Sequence, residues 1–151
     1  MNLKPLLGAA CAMICVACSN HKPTVPSFIT ENVEFAKVQL GLAIDTIEAS
    51  GKCLNPVTLN RDGSVYADWR SGFFPGSIWY LYELTGDTSY LPLARKYTEA
   101  IRPAEHLTWH HDIGFIINCS FGNGLRLAPD TAAYKDVMVQ AAKSLCTRFR
   151  P

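Results

Sequence analysis

The chain reads as an all-α protein made of helical hairpins. Apolar residues recur at spacings of three and four over several stretches, glycine or proline stands at the stretch ends, and no period-two pattern competes with them. At 151 residues, 48% apolar and 18% charged, the composition is that of an ordinary globular chain with room for one domain at most. The 14 basic and 13 acidic residues are spread without runs, for a net charge of +1. That balance leaves no electrostatic footprint for a nucleic acid, so DNA and RNA are excluded as partners.

The N-terminus is read as a targeting segment. Lys4 supplies a positive charge ahead of an apolar run over residues 6–17, which Cys18, Ser19 and Asn20 follow. Such a run falls short of the roughly 20 residues that a membrane-crossing helix needs. Val16, Ala17 and Cys18 resemble the end of a bacterial lipobox, which implies lipid modification of Cys18 and an exported, periplasmic, membrane-anchored lipoprotein; plain secretion is the alternative. Residues 1–18 are thus assigned to the leader and 19–29, with Pro23 and Pro26, to a tether. In the body, Cys53, Cys119 and Cys146 are odd in number and lack a C-x-x-C spacing, so they are expected as free, buried thiols, with a disulfide between two of them as the alternative in an oxidising compartment.

Each element of the body has its own signal. Val33, Ala36, Leu40, Ala43, Ile44 and Ile47 define a first helix over about 31–49, with Thr30 placed to cap it and Gly51 to stop it. Turn signals at Asn55-Pro56 and over residues 61–64 make 53–69 a long loop or a small hairpin. A second helix follows Pro75 through Ile78, Trp79, Leu81, Tyr82 and Leu84 to Gly86. Thr88 opens a third, through Tyr90, Leu93, Ala94, Tyr97 and Ile101, which Pro103 ends. A fourth starts near Asp112, and a fifth runs over 131–149 through Tyr134, Val137, Met138, Ala141, Ala142 and Leu145.

Two aromatic-rich blocks carry the chemistry: residues 68–76, Asp-Trp-Arg-Ser-Gly-Phe-Phe-Pro-Gly, and residues 110–115, His-His-Asp-Ile-Gly-Phe. An indole, imidazoles and a carboxylate beside helix starts are what a pocket needs to stack a sugar ring, bond its hydroxyls and move a proton. Each residue also has a plainer reading. Trp69, Phe73, Phe74 and Trp79 suit a core, with Phe73 and Trp79 assigned there, and Asp112 suits a helix cap. His110 and His111 are adjacent and so do not form the i, i+4 pair of a helical zinc site; no metal is expected. Ser120 and Cys119 lack a nucleophile elbow, and Gly122 with Gly124 reads as a turn.

The first block, continued through residues 77–87, resembles the unsaturated glucuronyl hydrolases, glycoside hydrolase family 88. So do residues 111–115, Cys119 to Gly124, the run 141–145 and Arg148-Phe149, all in family order. The resemblance implies an (α/α)6 barrel of six helical hairpins, six-hairpin glycosidase-like, of which residues 30–151 form the N-terminal part: the first two to three hairpins of an incomplete domain. It implies hydrolysis of 4,5-unsaturated uronosyl oligosaccharides by hydration of the C4=C5 bond, downstream of polysaccharide lyases and without a cofactor. Asp112 matches one of the family's two functional aspartates, and Trp69 and His111 match residues of the substrate pocket. The other aspartate, in the family the principal general acid and base, falls beyond Pro151, so a truncated form is expected. The alternative is a non-catalytic carbohydrate-binding lipoprotein or an inactive remnant.

Overall fold

The computed structural model describes residues 25–51 and 66–151. The leader with Cys18, the tether as far as residue 24, Cys53 and the turn signals at 55–64 lie outside the described residues. Among the described residues the chain is all-helical, as its periodicity predicts. No described helix is long and apolar enough to cross a membrane.

Helix α1 spans Ser27–Ala49, starting earlier than expected. Pro26, with φ of −55°, stands at its N-cap, and no side chain caps it there. Thr30 therefore lies inside the first turns rather than at the cap. Proline suits that boundary because its fixed φ is already helical and it has no amide hydrogen left unpaired. The far end follows expectation, with Gly51 at φ +68° just past the helix. Ile44 and Ile47 are the buried residues of α1. Glu48 fastens this end to α3, accepting from Lys96 Nζ at 2.6 Å and from the Tyr97 hydroxyl at 2.7 Å.

Helices α2 (Phe73–Thr85) and α3 (Tyr90–Ala100) form the central hairpin. Pro75 sits in the first turn of α2, and Gly86 closes it in the left-handed conformation, its N–H donating to the Tyr82 carbonyl at 2.8 Å. At the entry to α3 it is Asp87, not Thr88, that organises the turn, its carboxylate accepting the Ser89 N–H at 2.9 Å. Fully buried Trp79 ties the hairpin together, its indole N–H donating to Thr98 Oγ1 at 3.0 Å. Phe74 packs edge-on against Tyr97 at 4.9 Å. Pro103 does more than end α3, since it begins a 3-10 helix over Arg102–His106.

Helix α4 (Ile113–Ile117), a π-helical turn (Asn118–Gly122) and α5 (Asn123–Leu127) form one continuous helical stretch. Gly122 and Gly124 lie inside it rather than in a turn. Helix α6 spans Tyr134–Cys146, shorter than the expected 131–149 because residues at both ends form turns. Thr131 anchors the loop before it, donating to the carbonyls of Gly124 at 2.7 Å and Ala128 at 2.6 Å. The core runs through all these pieces, from Ile78, Trp79 and Tyr97 to Ile113, Ile116, Phe121, Tyr134 and Val137. Cys146 is exposed, against the expectation of a buried thiol, and Cys119 is half-buried; both are free.

Candidate functional site

The two chemistry-bearing blocks meet where α2 begins and α4 begins. Residues 66–72 form a run of turns, closed by the Ser71 N–H on the Asp68 carbonyl at 2.9 Å and the Phe73 N–H on the Arg70 carbonyl at 3.0 Å. Close contact with the second block depends on absent side chains. A Cβ on Gly72 would lie 2.5 Å from the Phe115 carbonyl oxygen, and one on Gly76 would lie 2.7 Å from that of Cys119. Glycine at both places lets the start of α2 touch the backbone of α4 and of the π-helical turn that follows it.

That approach builds an open aromatic face. Trp69, Phe73 and Phe115 lie edge-on to one another with centroids 5.6, 6.2 and 6.1 Å apart. They remain 44%, 39% and 50% exposed. Phe73 is therefore a surface aromatic and not a core residue as expected, because the next position, Phe74, turns inward and takes that role. Trp79 is core as expected. Edge-to-face packing holds rings in fixed orientation while leaving indole surface free to stack on an apolar sugar face.

Asp112 stands at the N-cap of α4, but its carboxylate makes no capping bond. The plain capping reading is thereby set aside. Only its backbone serves the helix, the carbonyl accepting the N–H groups of Phe115 at 3.0 Å and Ile116 at 3.3 Å. The side chain is 24% exposed, and its Oδ2 lies 3.2 Å from His111 Nε2. His110 has a role that the sequence did not suggest. Its Nδ1 accepts the Asp112 N–H at 3.0 Å, so it fixes the backbone from which the carboxylate projects.

A second pair went unnoticed in the sequence. Asp68 grips Arg70 at both Nε and Nη2, each at 2.9 Å, and also accepts the Arg70 backbone N–H at 2.9 Å. These bonds from Arg70 outweigh burial and hold the Asp68 carboxyl down at about 2. His110 is near enough to be felt by the same carboxylate. The signal was an Asx-type turn, in which an aspartate bonds the backbone two residues on. Ser120 and Cys119, by contrast, belong to packing. Ser120 is fully buried with its hydroxyl donating to the Ile116 carbonyl at 2.7 Å, and burial pushes the Cys119 thiol up. Among the described residues no group of three or more His, Cys, Asp or Glu is placed to hold a metal ion.

No family model matches the chain. Two curated relatives do, each over a little more than half of it. One is an unsaturated glucuronyl hydrolase of Formosa agariphila, 46% identical over 82 residues, which are 54% of this chain and 20% of the relative. The other is an unsaturated glucuronyl hydrolase of Bacillus sp. strain GL1, 34% identical over 87 residues, or 55% of this chain and 22% of the relative. Among solved structures, a crystal structure of an unsaturated glucuronyl hydrolase specific for heparin matches with a TM-score of 0.68 and 32% identity, covering 82% of this chain and 33% of that one. The all-helical arrangement is thus that of a helical glycosidase. In sequence and in fold alike, this chain is similar to unsaturated glucuronyl hydrolases over a stretch that spans about a fifth of the curated relatives' length.

Proposed function

We propose that the protein carrying this chain hydrolyses 4,5-unsaturated uronosyl oligosaccharides, the products that polysaccharide lyases leave, by hydrating the C4=C5 bond. One observation carries the reading: the Asp112 carboxylate makes no capping bond and sits beside His111, one helical turn before Phe115, which packs with Trp69 and Phe73 in an exposed face. The similarity to named unsaturated glucuronyl hydrolases supports it.

In this reading Trp69 stacks on the apolar face of the uronate ring and His111 bonds a hydroxyl or the carboxylate. Asp112 assists at the double bond, where the principal general acid and base is the other aspartate that the resemblance implies. The proton of that aspartate passes to C4 as the π electrons form the new C–H bond, and the cation left at C5 is shared with the ring oxygen. Water adds at C5 and gives a proton back to the carboxylate. The resulting hemiketal opens by breaking its ring C5–O bond, and the hemiacetal exposed at C1 expels the next sugar as an alcohol. No pair of carboxylates flanking the glycosidic oxygen is needed, unlike ordinary glycoside hydrolysis. The second aspartate that the resemblance implies lies outside residues 1–151. The reading therefore assigns turnover to a protein that also has the remaining length of its relatives, and no turnover to these residues by themselves. An exported location with a lipid anchor on Cys18 belongs to the same proposal, supported by the sequence of the leader.

The test is loss of the ultraviolet absorbance of an unsaturated disaccharide, followed with the full-length protein. Asp112→Asn should lower kcat sharply, by about 100-fold, the scale of losing a carboxylate that takes part in proton transfer. Ser120→Ala, buried away from the face, should leave kcat within about twofold. Unaltered turnover in the Asp112 variant would remove that residue from the site.

A further inference from the structure

Among the described residues, Arg70 is the cation that stands over a ring of the aromatic face. Its guanidinium carbon lies 5.9 Å from the centre of the Trp69 ring. Asp68 holds the group from one side only, taking Nε and Nη2. A guanidinium has five N–H donors in a planar fork, so this grip leaves the Nη1 edge directed away from Asp68 with no other acceptor among the described residues. The side chain is 40% exposed. An arginine held solely for stability would spend its donors on the fold. Arg70 is instead oriented by an aspartate in the same turn and left with open donors at the rim of a ring.

We infer that Arg70 is a specificity residue that binds an oxyanion on the sugar stacked over Trp69, with Asp68 as the residue that positions it. This rests on the reading of that face as the sugar site and names a recognition feature within it. The oxyanion is a carboxylate or a sulfate ester, the two anionic groups that a uronate oligosaccharide carries. Both suit the planar geometry of a guanidinium edge. Because Asp68 already offsets the charge of Arg70, the contribution is directional more than coulombic. Lysine, a point charge without a fork, should not replace it.

The experiment measures Kd by calorimetry with full-length protein and three probes: an unsulfated unsaturated disaccharide, its sulfated counterpart, and the neutral methyl ester of the unsulfated one. With Arg70→Gln, Kd for the anionic probes should rise about tenfold, the scale of a charge-assisted hydrogen bond, while the methyl ester binds as before. A rise confined to the sulfated sugar identifies sulfate as the group read, and an equal rise for both anions identifies the carboxylate. Arg70→Lys should behave like Arg70→Gln, and Asp68→Asn should show a smaller rise with the same selectivity. Misfolding would weaken the neutral probe as well, and that result would overturn the assignment. So would anionic probes that bind Arg70→Gln and the unsubstituted protein alike, leaving the sugar-site reading intact. If the unsubstituted protein binds none of the probes, the sugar-site reading falls and this assignment with it.

Discussion

Gly72 and Ile116 meet backbone to backbone: any Cβ on Gly72 would run into the Ile116 carbonyl oxygen, and it would also come within 2.5 Å of that of Phe115. This contact sets α2 against α4 and so sets Trp69 and Phe73 against Phe115. Alanine at 72 should destabilise the chain by about 1–3 kcal/mol, the cost of overpacking against atoms that cannot rotate away. Gly41, inside α1 with no atom within 4 Å of where a methyl group would stand, should gain about 0.5–1 kcal/mol on the same change. Urea unfolding of the two variants checks both signs. Equal shifts would mean that the close approach at Gly72 is not rigid.

The Trp79 indole N–H and Thr98 Oγ1 form a buried pair, both residues having no exposure. Thr98→Val keeps the shape and branching of the side chain but removes the acceptor. The indole N–H would then be stranded in the core, at a cost of about 1–3 kcal/mol. Thermal unfolding read by circular dichroism should show a lower midpoint with native helix content retained. A midpoint equal to the parent's would show that the bond contributes nothing net.

Phe28, Phe35, Val38 and Leu42 on α1, with Tyr80 and Leu84 on α2, are large apolar side chains left exposed. Apolar surface of this extent attracts other apolar surface. Residues 25–151 prepared alone should bind a hydrophobic dye strongly, and Phe35→Lys with Leu42→Lys should cut that fluorescence without loss of helix. Weak dye binding by the parent would mean that this surface is covered in solution.

Helix type was legible wherever a long apolar stripe repeats, as in α2, α3 and α6, and wherever glycine must adopt a left-handed turn, as at Gly51 and Gly86. What failed was local. Thr30 looked like a cap because threonine so often is one, but Pro26 starts the helix earlier. Gly122 and Gly124 looked like a turn, yet they are helical glycines, one of them in a π-helical turn that no spacing rule announces. At the site, the block that carries Trp69 meets the block that carries His111 and Asp112 through Gly72 and Phe115, whereas Phe73 was misassigned because two adjacent phenylalanines at a helix start cannot be told apart by composition. The roles of His110 and of the Asp68 to Arg70 pair rest on bonds between neighbours two residues apart, too local for periodicity to register.

Asp68 also gives the fold an acid limit that can be measured. Its carboxyl is held at about 2, chiefly by Arg70, against an ordinary 3.8. A carboxylate with a lowered folded-state value contributes stability that is fully present above the unfolded value and is lost as pH falls through the folded one. The contribution of Asp68 should thus be intact at about pH 5, shrink below about pH 4 and be mostly lost by about pH 2, the remainder going below it. Asp68→Asn keeps an acceptor for the Arg70 backbone N–H but cannot ionise. The difference in unfolding free energy between the parent and this variant should therefore narrow steadily over that interval, while Gly41→Ala, which alters no ionisable group, keeps a constant offset from the parent. A gap at position 68 that does not change between about pH 5 and pH 2 would show that the ion pair with Arg70 does not form in solution.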